Sequence, residues 1–308
     1  MNAWMSIDSI EELQRHFPSE ESCFPFLYQL KWPNGFRCPQ CQHTHAFVIS
    51  TRRLPLYECC ACRRQTSLIA HTIMEYSRTP LHKWLLAIWL VSRSEYKMNA
   101  LILRSFLQVT YKTAWLMFHK IRSTIHNYDN DVPLAGIVQG IVSYHGQPLG
   151  RSVLDLFPQE NPLIVASSVS EENEIERVKM KLVDRSHVMG MKLRPAAIEH
   201  FVDQQVCPFT AEHQITINPL PFRILAFSRR LKECFRAAKY RIIDTYRGVG
   251  RKYLQLYLDE YCYHLNIELE NADSWQTLIF NGMNRYNRQT SFLQYRFRHS
   301  YTFIQQAA

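Results

Sequence analysis

The sequence predicts an α+β chain of several domains: a four-cysteine ribbon, a helix-turn-helix-like helical module and an α/β domain built on a sheet. Three observations predict it. Paired cysteines recur with a fixed gap over residues 38–62. Apolar residues then recur at helical spacing over 79–125. Strand-like runs follow over 137–217, with one helical stretch before the last of them.

The elements fall in order as a helical segment over 1–34, a ribbon over 35–70, a helical module over 71–128, an α/β domain over 129–270 and a basic, aromatic tail over 271–308. The composition, 46% hydrophobic and 20% charged, is that of a globular chain and excludes wholesale disorder. No apolar run reaches the ~18 residues that a membrane helix needs, so no membrane partner is expected. Asp8, Glu11 and Glu12 stand near the start without a basic and apolar leader, which predicts a cytoplasmic, nucleoid-associated protein. The net charge of +9 is unevenly placed: residues 31–125 carry +11 and 223–252 carry +8, around an acidic stretch of −5 over 126–222. Two separated basic blocks are the footprint of a polyanion binder; a solvated surface that keeps the chain soluble is the alternative reading.

Cys38-Pro39-Gln40-Cys41 is followed, after 17 intervening residues, by Cys59-Cys60-Ala61-Cys62. A two-residue gap lets both thiolates of a knuckle face one point, and two such knuckles complete a tetrahedron around zinc. Cys60 competes with Cys59 for one place; Cys59 is preferred because it alone keeps the two-residue gap to Cys62. The remaining cysteines (23, 207, 234 and 262) read as small buried apolar residues. Phe47–Ile49 and Leu54–Tyr57 read as strands between the knuckles, with Arg52 and Arg53 at their connection.

Leu81, Trp84, Leu85, Ile88 and Trp89 mark one face of an amphipathic helix that starts near Pro80. A second helix covers Met98–Leu107. Gln108-Val109-Thr110 breaks it, with Thr110 as N-cap of a third helix that carries Ala114, Phe118, Ile121 and Ile125 on one face. Helix, short turn and basic helix fit a helix-turn-helix, and the pattern fits a three-helix structural bundle as well. In such a unit Tyr111, Lys112 and Thr113 approach bases, while Lys120 and Arg122 bind phosphate.

Strands are expected over Ile137–Tyr144, Leu163–Val169, Arg177–Val183 and Gln214–Ile217, with a helix over Pro195–Gln205. Alternation of Lys179 and Lys181 with Met180 and Leu182 suggests a half-exposed strand. Glu171–Glu174 reads as a hairpin loop. The second basic block contains Arg229, Arg230, Lys232, Arg236, Lys239 and Arg241, expected to contact phosphate from a helix. In the tail, Arg285, Arg288, Arg296 and Arg298 interleave with Tyr286, Phe292, Tyr295, Phe297 and Tyr301.

These residues resemble the zinc-ribbon transposases of insertion sequences, of the ISXO-like type. The resemblance rests on Phe36–Cys41, Tyr57–Cys59, Cys62–Ser67, Thr72-Ile73, Thr79–Trp84, Lys112–Trp115, His119–Arg122 and Lys252–Tyr261. It is strong over 20–125 and 245–266 and weak over 130–240. It implies a ribbon, a DNA-binding helical part and an RNase H-like domain that cuts and joins DNA with two divalent metals held by carboxylates. Here the positions matching the first acidic stretch are Gln139, Ile141 and Val142. Thr216-Ile217-Asn218 matches the second, and Ala237 the third, with Lys239 matching a following Lys. The two arginines that the resemblance implies after the Leu258-Asp259-Glu260 helix are absent. The expectation is therefore a degenerate RNase H-like domain: a transposase-like DNA binder with zinc, without magnesium and without catalytic residues. Its partners are DNA, and itself or an active transposase. The alternative is an active enzyme with a displaced acidic site, for which Asp184 and Asp203 are candidates.

Overall fold

A computed structural model describes residues 7–146, 160–190, 192–220 and 228–286. The contacts divide the chain into two units: Tyr128–Asp273, and the described residues before Tyr128 together with those from Ser274 onward.

The first unit begins with α1 (Ile10–His16), capped by the Ser9 hydroxyl, and α2 (Phe24–Lys31). The ribbon sheet follows as β1 (Ala46–Ile49), β2 (Leu56–Cys59) and β3 (Gln65–Ser67), antiparallel in that order. Two ribbon strands were expected; the third is too short to show a period. α2 packs on the ribbon sheet: Tyr28, and Trp32 at its end, meet Tyr57 with ring centroids 5.2 and 4.9 Å apart. The Lys31 ammonium donates to the carbonyls of Ser67, Leu68 and Ala70 at 2.9, 3.0 and 2.6 Å, tying α2 to the end of β3.

α3 (Leu81–Ser92) is not one-sided. Every residue from Trp84 to Ser92 is buried, because α1, α4 and α9 pack around it. α4 (Ala100–Leu107) is capped by Asn99, whose side chain accepts from Leu101 and Ile102 N–H, both at 3.0 Å. Gln108 ends it in the left-handed region, and the Thr110 hydroxyl accepts from Thr113 N–H at 3.2 Å to start α5 (Tyr111–Asp131).

The second unit holds β4 (Ile137–His145), β5 (Asn161–Val169), β6 (Ile175–Leu182), a small ribbon of β7 (Val188–Met189) and β8 (Lys192–Leu193), α6 (Pro195–Gln205), β9 (Ile215–Asn218), α7 (Ser228–Tyr246) and α8 (Arg251–Leu269). The four-stranded sheet runs β6-β5-β4-β9; β9 is parallel to β4 and the others are antiparallel. All nine residues of β5 are buried, since both faces of the sheet are covered. Leu163 and Val165 face α7 and α8; Ile164 and Ala166 face α6. Gly140 lets β9 approach: a Cβ there would stand 3.0 Å from Ile217 Cγ1.

β6 is a sheet edge whose unpaired backbone groups would be costly to bury unpaired. α8 satisfies them with two amides. Asn266 accepts from Val178 N–H at 2.7 Å and donates to its carbonyl at 2.9 Å. Gln255 accepts from Leu182 N–H at 2.8 Å and donates to Met180 O at 2.9 Å. The reading of β6 as half-exposed is corrected here. Arg177, Lys179 and Lys181 are all buried, and Lys179 is 0% exposed. Lys181 Nζ lies 2.6 Å from Asp129 and 2.9 Å from Asp259; Lys179 Nζ lies 3.6 Å from Asp129 and 3.1 Å from Gln205. The lysines alternate because one face meets these acids while Val178 and Met180 meet the core.

α9 (Ser274–Asn284) returns to the first unit, where Trp275, Leu278, Ile279 and Met283 are buried. Gly282 carries the close approach, with its carbonyl accepting from Ile73 N–H at 2.8 Å. The start of the expected tail is thus a core helix. Arg285 is exposed beyond it, and Arg288, Phe292, Tyr295, Arg296, Phe297, Arg298 and Tyr301 lie outside the described residues.

Candidate metal centre and nucleic-acid surfaces

The two cysteine knuckles share one backbone pattern. Cys38 N–H donates to His43 O and accepts, through its own carbonyl, from Gln42 N–H at 3.0 Å. Cys59 N–H donates to Arg64 O and its carbonyl accepts from Arg63 N–H, again at 3.0 Å. Gln42 and Arg63 both take the left-handed conformation, at φ 62° and 59°. This repeat resolves the Cys59–Cys60 ambiguity: Cys59 is the equivalent of Cys38, while Cys60 N–H pairs with His45 O across the hairpin.

The four sulfurs of Cys38, Cys41, Cys59 and Cys62 lie within 4.8 Å of one another. Three of the separations are 3.4, 3.5 and 3.6 Å. A regular tetrahedron with metal–sulfur bonds of ~2.3 Å has edges of about 3.8 Å, so the quartet is of the size zinc requires. The N–H groups of Cys41 and Gln40 aim at Cys38 and pull its thiol down to about 6. The His43 N–H favours the Cys41 thiolate, but Cys62, burial and Cys59 outweigh it and push that thiol up to about 12. Four thiolates so close need a cation between them, and four soft donors in a closed shell select zinc in a structural role. Among the described residues this is the only group of three or more His, Cys, Asp or Glu able to hold one ion.

The basic residues divide by burial. Arg52 is exposed. Arg53 is engaged: it lies 2.8 Å from Glu20, whose other contact accepts from Leu81 N–H at the start of α3. Tyr111 and Lys112 are exposed and Thr113 half-buried at the start of α5. Lys120 and Arg122 are corrected. They are 9% and 3% exposed, Lys120 donating to Glu75 O at 2.6 Å and Arg122 stacking over Phe118 at 4.3 Å. Residues 117–125 in the middle of α5 are all buried. On α7, Arg229, Arg230 and Arg236 are exposed and Lys232 and Arg241 half-buried. Arg229 pairs with Glu233 and Arg230 with Glu174, at 3.1 and 3.2 Å. Lys239 donates to Gly146 O at 3.1 Å. Sequence reasoning missed Tyr240, 70% exposed on the same face of α7 as Arg236.

At the sheet positions matched to acids, Ile141 is 1% exposed and packs among Leu163, Val165, Phe235 and Ala238. Its register partner is Asn218, and Gln139 stands beside Thr216. Gln139 donates to Asn173 at 3.1 Å. Ala237 is exposed. A 370 Å³ cavity at Gln139 is lined by Ile137, Gln139, His213, Gln214 and Thr216, with no carboxylate among them. Asp184 is spent on capping a turn at Ser186, which holds its carboxyl below the usual range, and Asp203 is exposed on α6.

No helix among the described residues is long and apolar enough to cross a membrane. Comparison with known proteins finds a transposase zinc-ribbon domain of the IS1595 type over residues 18–65, a span that includes α2 as well as the quartet. A protein of Halobacterium salinarum described as an uncharacterized protein in transposable element ISH50 is 30% identical over 100 residues, 32% of this chain. The chain spans about a third of the length of that curated relative, 33%. No solved structure matches. Its ribbon is thus similar to the zinc-ribbon domain of transposases, and about a third of the chain is similar to part of a transposable-element protein.

Proposed function

We propose that the protein is a zinc-dependent DNA binder derived from a transposase, with an RNase H-like sheet that no longer cuts or joins DNA. The carrying observation is Ile141. Where the family resemblance calls for a metal-holding acid, this side chain is 1% exposed in an apolar cluster, with Asn218 as its neighbour on the parallel strand. Magnesium needs hard oxygen donors, and in two-metal sites carboxylates hold the ions ~3.5–4 Å apart. Isoleucine offers no donor. The strand order β6-β5-β4-β9, with only the last pair parallel, supports the RNase H-like reading.

Binding is assigned to three places. Tyr111, Lys112 and Thr113, at the free start of α5, approach bases in the manner of a helix-turn-helix. The exposed part of α7, with Arg229, Arg230 and Arg236, and Arg247 just past its end contact phosphate; the ion pairs there are solvent-exposed, worth little, and exchangeable. Arg52 adds charge at the ribbon. Zinc holds the ribbon in shape; the chain's own residues do the binding.

Two measurements test this. Nicking and strand-transfer assays with Mg²⁺ or Mn²⁺ are expected to show no turnover; turnover abolished by Asp184→Ala or Asp203→Ala would overturn the reading. A salt titration of DNA affinity is expected to give a steep negative slope of log K against log salt, lowered by about 1 for Arg236→Ala. A flat plot would remove phosphate contact altogether.

A further inference from the structure

Phe47 and Val48 are neighbours on β1, and each is 59% exposed. Adjacent strand residues point to opposite faces, so β1 is open on both. It is also the edge of the ribbon sheet. Single exposed apolar residues are common, but this pair is unusual in its electrostatic setting. Arg63, from the second knuckle, lies over the Phe47 ring at 5.9 Å. Its guanidinium is held there by Glu58, the cross-strand partner of Phe47, at 3.2 Å. Glu58 is the only acid between Glu21 and Glu75. Over the same stretch Arg37, Arg52 and Arg64 are exposed, and among the described residues none of the three makes an ion pair with an acid.

An occupant of this surface must be anionic and must present flat apolar faces. A second copy of the chain would bring the same positive charge to the same edge. A nucleic acid satisfies both conditions, and paired bases hide their faces while unpaired ones do not. We propose that β1 is a stacking platform on which Phe47 packs against an unpaired base of bound DNA, with Arg37, Arg52 and Arg64 on the flanking phosphates. The proposal rests on the reading of the protein as a DNA binder and specifies which form of DNA its ribbon prefers.

The test compares a single-stranded oligonucleotide carrying 2-aminopurine with a blunt duplex, using zinc-loaded full-length protein. The wild type is expected to quench the 2-aminopurine signal. Phe47→Ala is expected to weaken single-strand binding about tenfold, abolish the quenching, leave the salt slope unchanged and leave duplex binding within twofold. Phe47→Trp is expected to restore both affinity and quenching. Arg64→Ala should instead lower the salt slope. Zinc content of each variant confirms the fold of the ribbon. If the wild type binds DNA and Phe47→Ala binds single strands equally well, the platform is overturned while the DNA-binding reading stands. If the wild type binds neither DNA, the DNA-binding reading falls with it. A dimer that dissociates on Phe47→Ala would assign the edge to a second copy and also overturn the platform.

Discussion

Each unit of the molecule gathers four ionisable side chains into a small volume, and the two gatherings are opposites. In the ribbon, Cys38, Cys41, Cys59 and Cys62 are all potential anions within 4.8 Å of one another. In the sheet unit, Lys179, Lys181, Asp129 and Asp259 are two cations and two anions, buried at 9% exposure or less. The first group is incomplete without an imported ion. The second is neutral by itself. Burial draws the Lys179 ammonium down to about 8, while for Lys181 the carboxylates of Asp259 and Asp129 outweigh burial and hold its pKa above the ordinary value. The ribbon is therefore coupled to the chemistry of the medium, and the sheet unit to its own packing.

Metal removal gives the largest contrast. Structural zinc in small fingers contributes about 10–16 kcal/mol of apparent binding energy. Chelation is expected to unfold the ribbon and leave the sheet unit folded. All six tryptophans lie outside Tyr128–Asp273, so their emission follows the first unit alone, while hydrogen exchange of the β4, β5 and β6 amides follows the second. Loss of that amide protection on chelation would break the contrast.

Next comes Asp259→Ala, which leaves Lys181 buried with one of its two carboxylate partners. A cost of about 3–5 kcal/mol in urea unfolding is expected, whereas replacing Lys181 and Asp259 together by Met and Leu recovers most of it. Equal losses for the single and double variants would show that the cluster is not held by charge pairing.

Acid probes the two units alike. Burial pushes both His119 and His264 down from 6.5 to about 4, with Glu260 only partly opposing it at His264. Between those values the unfolded chain takes up protons that the folded chain refuses, so stability falls as pH drops from 7 towards 4. Each site loses about 2 kcal/mol by pH 5. His264→Gln should flatten the dependence in the second unit and leave the tryptophan-reported one unchanged.

The smallest effect is expected from Asn99→Ala, which removes the α4 cap. A loss of about 1 kcal/mol confined to the first unit is expected in thermal unfolding.

The contrast also explains what could be read in the sequence. The quartet shows in the spacing because each knuckle is local, and the left-handed residues after Cys41 and Cys62 belong to the same short pattern. The Thr110 cap and the helix over Pro195–Gln205 were legible for the same reason: capping residue, proline and apolar period act within a few positions. Lys179 and Lys181 gave the period of an exposed strand because their partners, Asp129 and Asp259, lie 50 and 78 residues away. Lys120 looked like a surface cation for the same cause, since its acceptor, Glu75 O, lies 45 residues away. So did α9, whose burial depends on contacts with α2 and α3 from the other end of the chain. Charge type says nothing about burial when the neutralising group is remote in sequence.

The two amides that close the edge of β6 have a consequence for synthesis. Gln255 and Asn266 stand 73 and 88 residues beyond the backbone groups they satisfy. At ribosomal rates of about 5–20 residues per second, β6 leaves the ribosome several seconds before its cover exists. During that interval the nascent chain displays an open hydrogen-bonding margin, and a message truncated before codon 255 yields a sticky product that chaperones must hold.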